Sequence, residues 1–231
     1  GQRIVVAVLA AVVAVNVALS GLGTLLGPEP GGPTSSSFST GADGLEAYAD
    51  LLRHEGHEVT RHRAALDDLV LGVDATVVVA DPQQLTDAEA SVLVDFVHDG
   101  GRLVLAGRSS ATVVAGLTEQ PVTYSSDGSA HEGYISVWVP SPFTGAAEQV
   151  AGDGGGRWSG AGALVPLAGV DGEPTLIVAS GGDGTVVALA DSDPLHNRNL
   201  AEADNAALAL ALAGPGRPVV FAESVHGYAS T

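Results

Sequence analysis

The chain has 231 residues, 45% of them apolar, which is enough for one domain with a real core and too little for two large ones. Its 9 basic and 27 acidic side chains give a formal charge of -18, the opposite of the basic footprint a nucleic-acid binder needs. All of the basic residues are arginine and there is no cysteine. P-loop, Schiff-base and kinase lysines are thereby excluded, as are thiol nucleophiles, disulfides and cysteine zinc sites.

Ile4 to Leu26 carries no charge over 23 residues. At about 1.5 Å per residue it is long enough for a hydrocarbon core of about 30 Å. The first 27 residues therefore read as an uncleaved transmembrane helix, with a cleaved signal peptide ending near Ala18 and Ser20 as the rival reading. Arg3 before the span and Glu29 after it favour an outward-facing remainder. The expectation is a single-pass protein of the cell membrane with an extracytoplasmic domain, held off by a Pro/Gly stalk over residues 28–34.

From Ser35 to Tyr228 the pattern is that of an α/β domain. Asp43 and Glu46 have capping-box spacing, and Leu45, Tyr48, Ala49 and Leu52 fall on one helical face. Glu58 to His62 alternates as a short strand, and Asp74 to Ala80 is an apolar run suited to a strand covered on both faces. Thr86 and Glu89 open a second helix, which stops at Gly100-Gly101 before the strand Arg102 to Ala106. This alternation predicts a doubly wound, mostly parallel sheet, flavodoxin-like in its layers.

Residues 119–167 are rich in Gly, Ser and Pro and read as an irregular insertion, with one strand at Tyr134 to Val139. Thr175 to Ala179 and Thr185 to Ala190 form a hairpin across Ser180-Gly-Gly-Asp-Gly184. A last helix ends near Ala213, and a last strand runs from Pro218 to Ala222.

Little of the chemistry is complete. Asp191, Asp193 and Glu202 fit three positions of a calcium loop, but Leu195 and His196 stand where an oxygen ligand and a glycine are needed. The glycine runs at 152–156 and 181–184 lack dinucleotide-loop order, and none of the seven histidines sits in an H-E-x-x-H. No cofactor and no metal is expected.

Gly107-Arg-Ser-Ser-Ala111 is one residue from the G-x-S-x-G elbow of serine hydrolases. Ser109 would be the nucleophile, His226 or His196 the base, and Asp191 or Glu223 the orienting acid. The plainer reading is that Ser109 and Ser110 cap the next helix. A second polar group, Asp191, Asn197, Asn205, Glu223 and His226, follows or flanks strand ends and is the candidate ligand or partner site. Capping and loop-tying explain the same residues without a ligand.

Four segments carry a family resemblance: SSSFSTGADGLEAYADLLRHEGHEV (Ser35 to Val59), DGGRLVLAG (Asp99 to Gly107), DSDPLHNRNLAEADNAALALALAG (Asp191 to Gly214) and PVVFAESVHGY (Pro218 to Tyr228). Together they resemble bacterial membrane proteins that carry the domain of unknown function 4350. The resemblance implies a class I glutamine amidotransferase-like fold, whose nucleophilic cysteine would stand at Ser109, so amidotransferase activity does not carry over. It also implies transmembrane helices flanking the domain and a gene neighbourhood with a MoxR-type AAA+ ATPase.

The function expected on these grounds is a non-catalytic, membrane-anchored domain that binds a partner protein or small ligand in a membrane complex. The alternative is a serine hydrolase built on Ser109. A purely structural subunit, packed through Ala14, Asn16, Ser20 and Gly21 of the span, is the third.

Overall fold

The computed structural model describes residues 32–68, 70–126, 134–152, 155–160 and 164–228. Its helices are α1 (Glu46–His54), α2 (Asp87–His98), α3 (Ser110–Thr118) and α4 (Asn205–Ala213). The first strands are β1 (Val59–His62), β2 (Thr76–Ala80), β3 (Arg102–Ala106), β4 (Val122–Ser126), β5 (Tyr134–Val137) and β6 (Gln149–Ala151). After them come β7 (Gly156–Gly160), β8 (Val165–Val170), β9 (Glu173–Gly181), β10 (Gly184–Leu189) and β11 (Val219–Ala222).

Nine of these strands form one sheet in the order β1-β11-β2-β3-β10-β9-β8-β5-β6, and β4 pairs with β7 in a small second sheet. The ladders from β1 through β11, β2 and β3 to β10 are parallel. Those from β10 through β9, β8 and β5 to β6 are antiparallel.

The apolar runs dictate the layering. Every residue of β2 is buried, and all but the first of β3. Successive side chains alternate faces, so Val78 and Val104 meet Tyr48 and Leu52 of α1 and Leu208 and Leu212 of α4. Val77, Leu103 and Leu105 meet Leu93 and Val97 of α2 and Val113 and Leu117 of α3 on the other side. Trp158 of β7 joins that second cluster, its ring 5.5 Å from Tyr124 of β4.

The expected mostly parallel, doubly wound sheet is corrected: the sheet is mixed, with half of its ladders antiparallel. The cause is the glycine hairpin. A two-residue turn at Gly182-Asp183, with Gly182 at φ +55°, sends β9 back beside β10, and β8, β5 and β6 continue that sense. A Cβ at position 182 would lie 2.2 Å from the His98 carbonyl oxygen, so only glycine makes this turn. The stretch 119–167, expected to be irregular, supplies strands both to this half and to the small sheet. An amidotransferase-like sheet is corrected with it.

The membrane calls are corrected too. The span at Ile4 to Leu26 lies outside the described residues. Among the described residues no helix is long and apolar enough to cross a membrane. The expected single-pass anchoring, cell-membrane placement and membrane-complex partner therefore have no structural basis.

The two capping boxes part company. Thr86 Oγ1 accepts from the Glu89 amide at 3.2 Å and Glu89 answers on the Thr86 amide at 2.9 Å. Asp43 caps nothing; α1 has Leu45 at its N-cap, and Asp43 pairs with Arg198 across the fold. The Ala47 amide in the first turn of α1 is served instead by Asn197 Oδ1 at 2.8 Å. Thr86→Ala should thus lower stability by about 1 kcal/mol. Asp43→Ala, which removes an exposed ion pair, should cost under about 1 kcal/mol. Urea unfolding monitored by circular dichroism measures both.

Candidate functional site at the carboxyl edge

Because β11, β2, β3 and β10 run parallel, their carboxyl ends meet along one edge. Ligands of open α/β sheets bind at such edges, where successive connections leave to opposite faces. Here α3 follows β3 onto one face, and α4 follows β10 onto the other.

Three strands exit into an acid: β2 into Asp81, β10 through Ala190 into Asp191, and β11 into Glu223. The segment 32–45 is strapped across these ends. Glu223 is 1% exposed, and its Oε2 accepts from Ser36 Oγ at 2.6 Å. Its Oε1 accepts from the Ser37 amide at 2.8 Å and from Ser37 Oγ at 2.5 Å. Three donors offset the cost of burying that charge.

Ser35 makes the second clasp. Its backbone is held at φ +58°, an uncommon conformation for a residue with a side chain. Its hydroxyl donates to Asp81 Oδ2 at 2.8 Å and lies 2.8 Å from Ser192 Oγ and 3.1 Å from His196 Nε2. Ser192 Oγ also donates to Asp81 Oδ2, and sits 2.8 Å from His196 Nε2. His196 Nδ1 lies 3.0 Å from Asp193 Oδ1 but out of line for a hydrogen bond.

The residues expected from sequence divide among several tasks. Asn197 donates to the carbonyls of Ser39 at 2.9 Å and Gly41 at 2.6 Å while serving α1, so it holds the strap's far end. Asn205 is fully buried and faces elsewhere, its amide exchanging hydrogen bonds of 2.8 and 2.9 Å with Ala151 of β6. Ser109 donates to the Pro82 carbonyl at 3.0 Å and has the ordinary helical φ of -64°. The strain of the would-be elbow falls on Gly107, at φ +90°.

His226 stands among the strap groups. Burial holds its imidazole below the usual value, against the pull of the Glu223 and Asp81 carboxylates and a hydrogen bond with the Ser35 backbone. Asp191 borders a small apolar cavity with Ile135, Val150, Leu176, Leu189 and Leu208, with room for about one water. Burial, then the Asp193 and Asp81 carboxylates, push its carboxyl up to about 6.

Sequence reasoning missed Ser35, Ser36, Ser37, Asp81 and Ser192. A signal was there: an alanine followed by an acid ends each of the strand runs VVVAD, VALAD and VFAE. Among the described residues no group of three or more His, Asp or Glu is placed to hold a metal ion.

Comparison with known proteins adds the fold. The domain of unknown function DUF4350 matches residues 37–213. No curated protein matches the chain. A cytoplasmic protein from Salmonella typhimurium LT2 is similar at 14% identity and a TM-score of 0.54, over 71% of this chain and 84% of its own. The mmIFT52 N-terminal domain is similar at 13% identity and a TM-score of 0.55, over 71% and 86%. A β-galactosidase from Bacillus circulans sp. alkalophilus aligns at 17% identity and a TM-score of 0.44, over 58% of this chain and 22% of that one. At these identities the first two likenesses concern the fold alone.

Two outcomes follow from the geometry. Glu223→Gln removes one acceptor from three buried donors and should cost about 2 kcal/mol. Amides in the strap should then exchange faster with deuterium than those of β2 or β3. Asp191 has a folded-state pKa above its unfolded one, so its contribution is most favourable below pH 4 and is lost as pH rises through about 6. At pH 7 the ionised form costs about 2 to 3 kcal/mol. Asp191→Asn should recover most of that at pH 7 and nothing at pH 3.5, read from urea midpoints at both.

Proposed function

The chain belongs to the DUF4350 family, and we propose that this member is a non-catalytic binding domain that engages a ligand or partner along its carboxyl edge. The observation carrying this reading is the burial of Ser35 and Ser192 beneath the strap, where both hydroxyls are held within hydrogen-bond distance of Asp81. Ser192 is fully buried and Ser35 1% exposed, so neither meets a substrate while the strap is seated. Ser36 and Ser37 serve Glu223, and Ser109 serves a carbonyl. The hydroxyls along this edge hold the fold.

One observation favours a second reading, a serine hydrolase. Ser192, His196 and Asp193 stand in nucleophile, base and acid order, at 2.8 and 3.0 Å. It requires the strap to lift and the Ser192 hydroxyl to turn from Asp81 toward His196 Nε2.

A fluorophosphonate probe separates the two, with the intact protein weighed after exposure. The binding reading expects no adduct. A stoichiometric adduct that disappears in Ser192→Ala or Ser35→Ala would replace it with the hydrolase reading, and one that disappears in Ser109→Ala would restore the elbow as a nucleophile.

A further inference from the structure

Cations are scarce in this chain, with nine arginines against 27 acidic side chains. Most of the described arginines have settled partners. Arg53 pairs with Asp50, Arg157 with Glu173, and Arg198 with Asp43 and Asp193. Arg102 and Arg217 donate to backbone carbonyls. Arg61 and Arg63 have neither a carboxylate nor a carbonyl partner among the described residues, although acids outnumber bases three to one.

Both instead stack on one ring. Their guanidinium carbons lie 4.8 and 4.5 Å from the centroid of Phe38, a residue of the strap, and Arg63 is 5.7 Å from Tyr228. Phe38 and Tyr228 are themselves 5.0 Å apart. Stacking fixes the plane of a guanidinium and leaves its N–H edge free to bond.

Which edge lacks a partner is the informative part. Nε and Nη2 of Arg61 are buried and have no hydrogen-bond partner. Those two nitrogens point their N–H bonds the same way, along the side of the fork that takes two oxygens of one carboxylate or phosphate. Two buried donors without acceptors are costly, and native structures rarely leave them so. Two of the three neighbouring acids are engaged elsewhere: both Glu223 oxygens hold the strap serines, and Asp50 holds Arg53. Burial and the nearby Arg53 charge weaken Arg61's hold on its proton, while Glu46, Asp50 and Glu223 strengthen it.

We propose that Arg61, which shares the Phe38 ring with Arg63, binds the oxyanion of a small ligand, a carboxylate or a phosphate, on the Nε–Nη2 edge of its guanidinium. Arg61 is the penultimate residue of β1, next to β11, which runs out into Glu223, so the site lies on the carboxyl edge. The proposal rests on the reading of that edge as a binding surface.

Inorganic phosphate and sodium acetate, titrated separately into the full chain, test it by the Nε–H resonance of Arg61. Ionic strength is held constant with sodium chloride, because salt alone screens a chain of charge -18. Saturable binding of at least one anion is expected, and the one that saturates first names the oxyanion class. Arg61→Lys keeps the charge but loses the fork, so binding should weaken about tenfold, the loss of roughly one charge-assisted hydrogen bond. Arg63→Met, at an exposed position, should weaken it less. The proposal is overturned if neither anion saturates by about 50 mM, or if Arg61→Lys binds as the unaltered chain does. Failure here with no fluorophosphonate adduct removes the oxyanion site alone; an adduct removes the binding reading itself.

Discussion

A carboxylate buried at the end of a strand must find donors, and Glu223 finds all of its own in Ser36 and Ser37. Those residues lie nearly the whole described length away in sequence, so one charge ties the beginning of the domain to its end. The rest of the carboxyl edge follows from that clasp. With Ser36 and Ser37 fixed, Ser35 is turned into its left-handed conformation and reaches Asp81, and Asp81 in turn gathers Ser192 against His196. Phe38, one residue on, is set where Arg61 and Arg63 can stack on it. Strap, polar network and arginine pair are one arrangement with a single buried charge at its root.

Much of the parallel half was legible because its physics is local. DATVVVA and RLVLA have the continuous apolar character of strands covered on both faces, and both are such strands. The capping box at Thr86 formed because Glu89 is three residues away and nothing competes for either side chain. The one drafted for α1 did not, since Asp43 has a cation within reach and Asn197 takes over the amide. That substitution spans 150 residues of chain, and no local pattern announces it.

The sheet's polarity was harder to read. A hairpin at Ser180 to Gly184 was visible in the glycines, but its consequence depends on what lies next to β10. Once β10 had paired with β3 on one side, the returning β9 reversed the sense of everything beyond it. The strands within 119–167 are short and half exposed, which blurs the alternation that marks a strand. At the site, Asn197, Glu223 and His226 stand out in the sequence as polar residues near strand ends, whereas the serines that complete the edge carry no such mark. Serine is small and polar wherever it sits, and only the acid it meets distinguishes these.

The position of β11 constrains how the molecule comes into being. This strand, 157 residues after the end of β1 at its nearest, is wedged between β1 and β2, two of the earliest made. During synthesis β1 has no neighbour in the sheet, and β2 keeps an open margin, until that late segment leaves the ribosome. The serines of the strap wait as long for their carboxylate. Assembly of the edge therefore waits on this segment, and a chain halted before residue 219 would carry its helices and most of its core with the edge unmade.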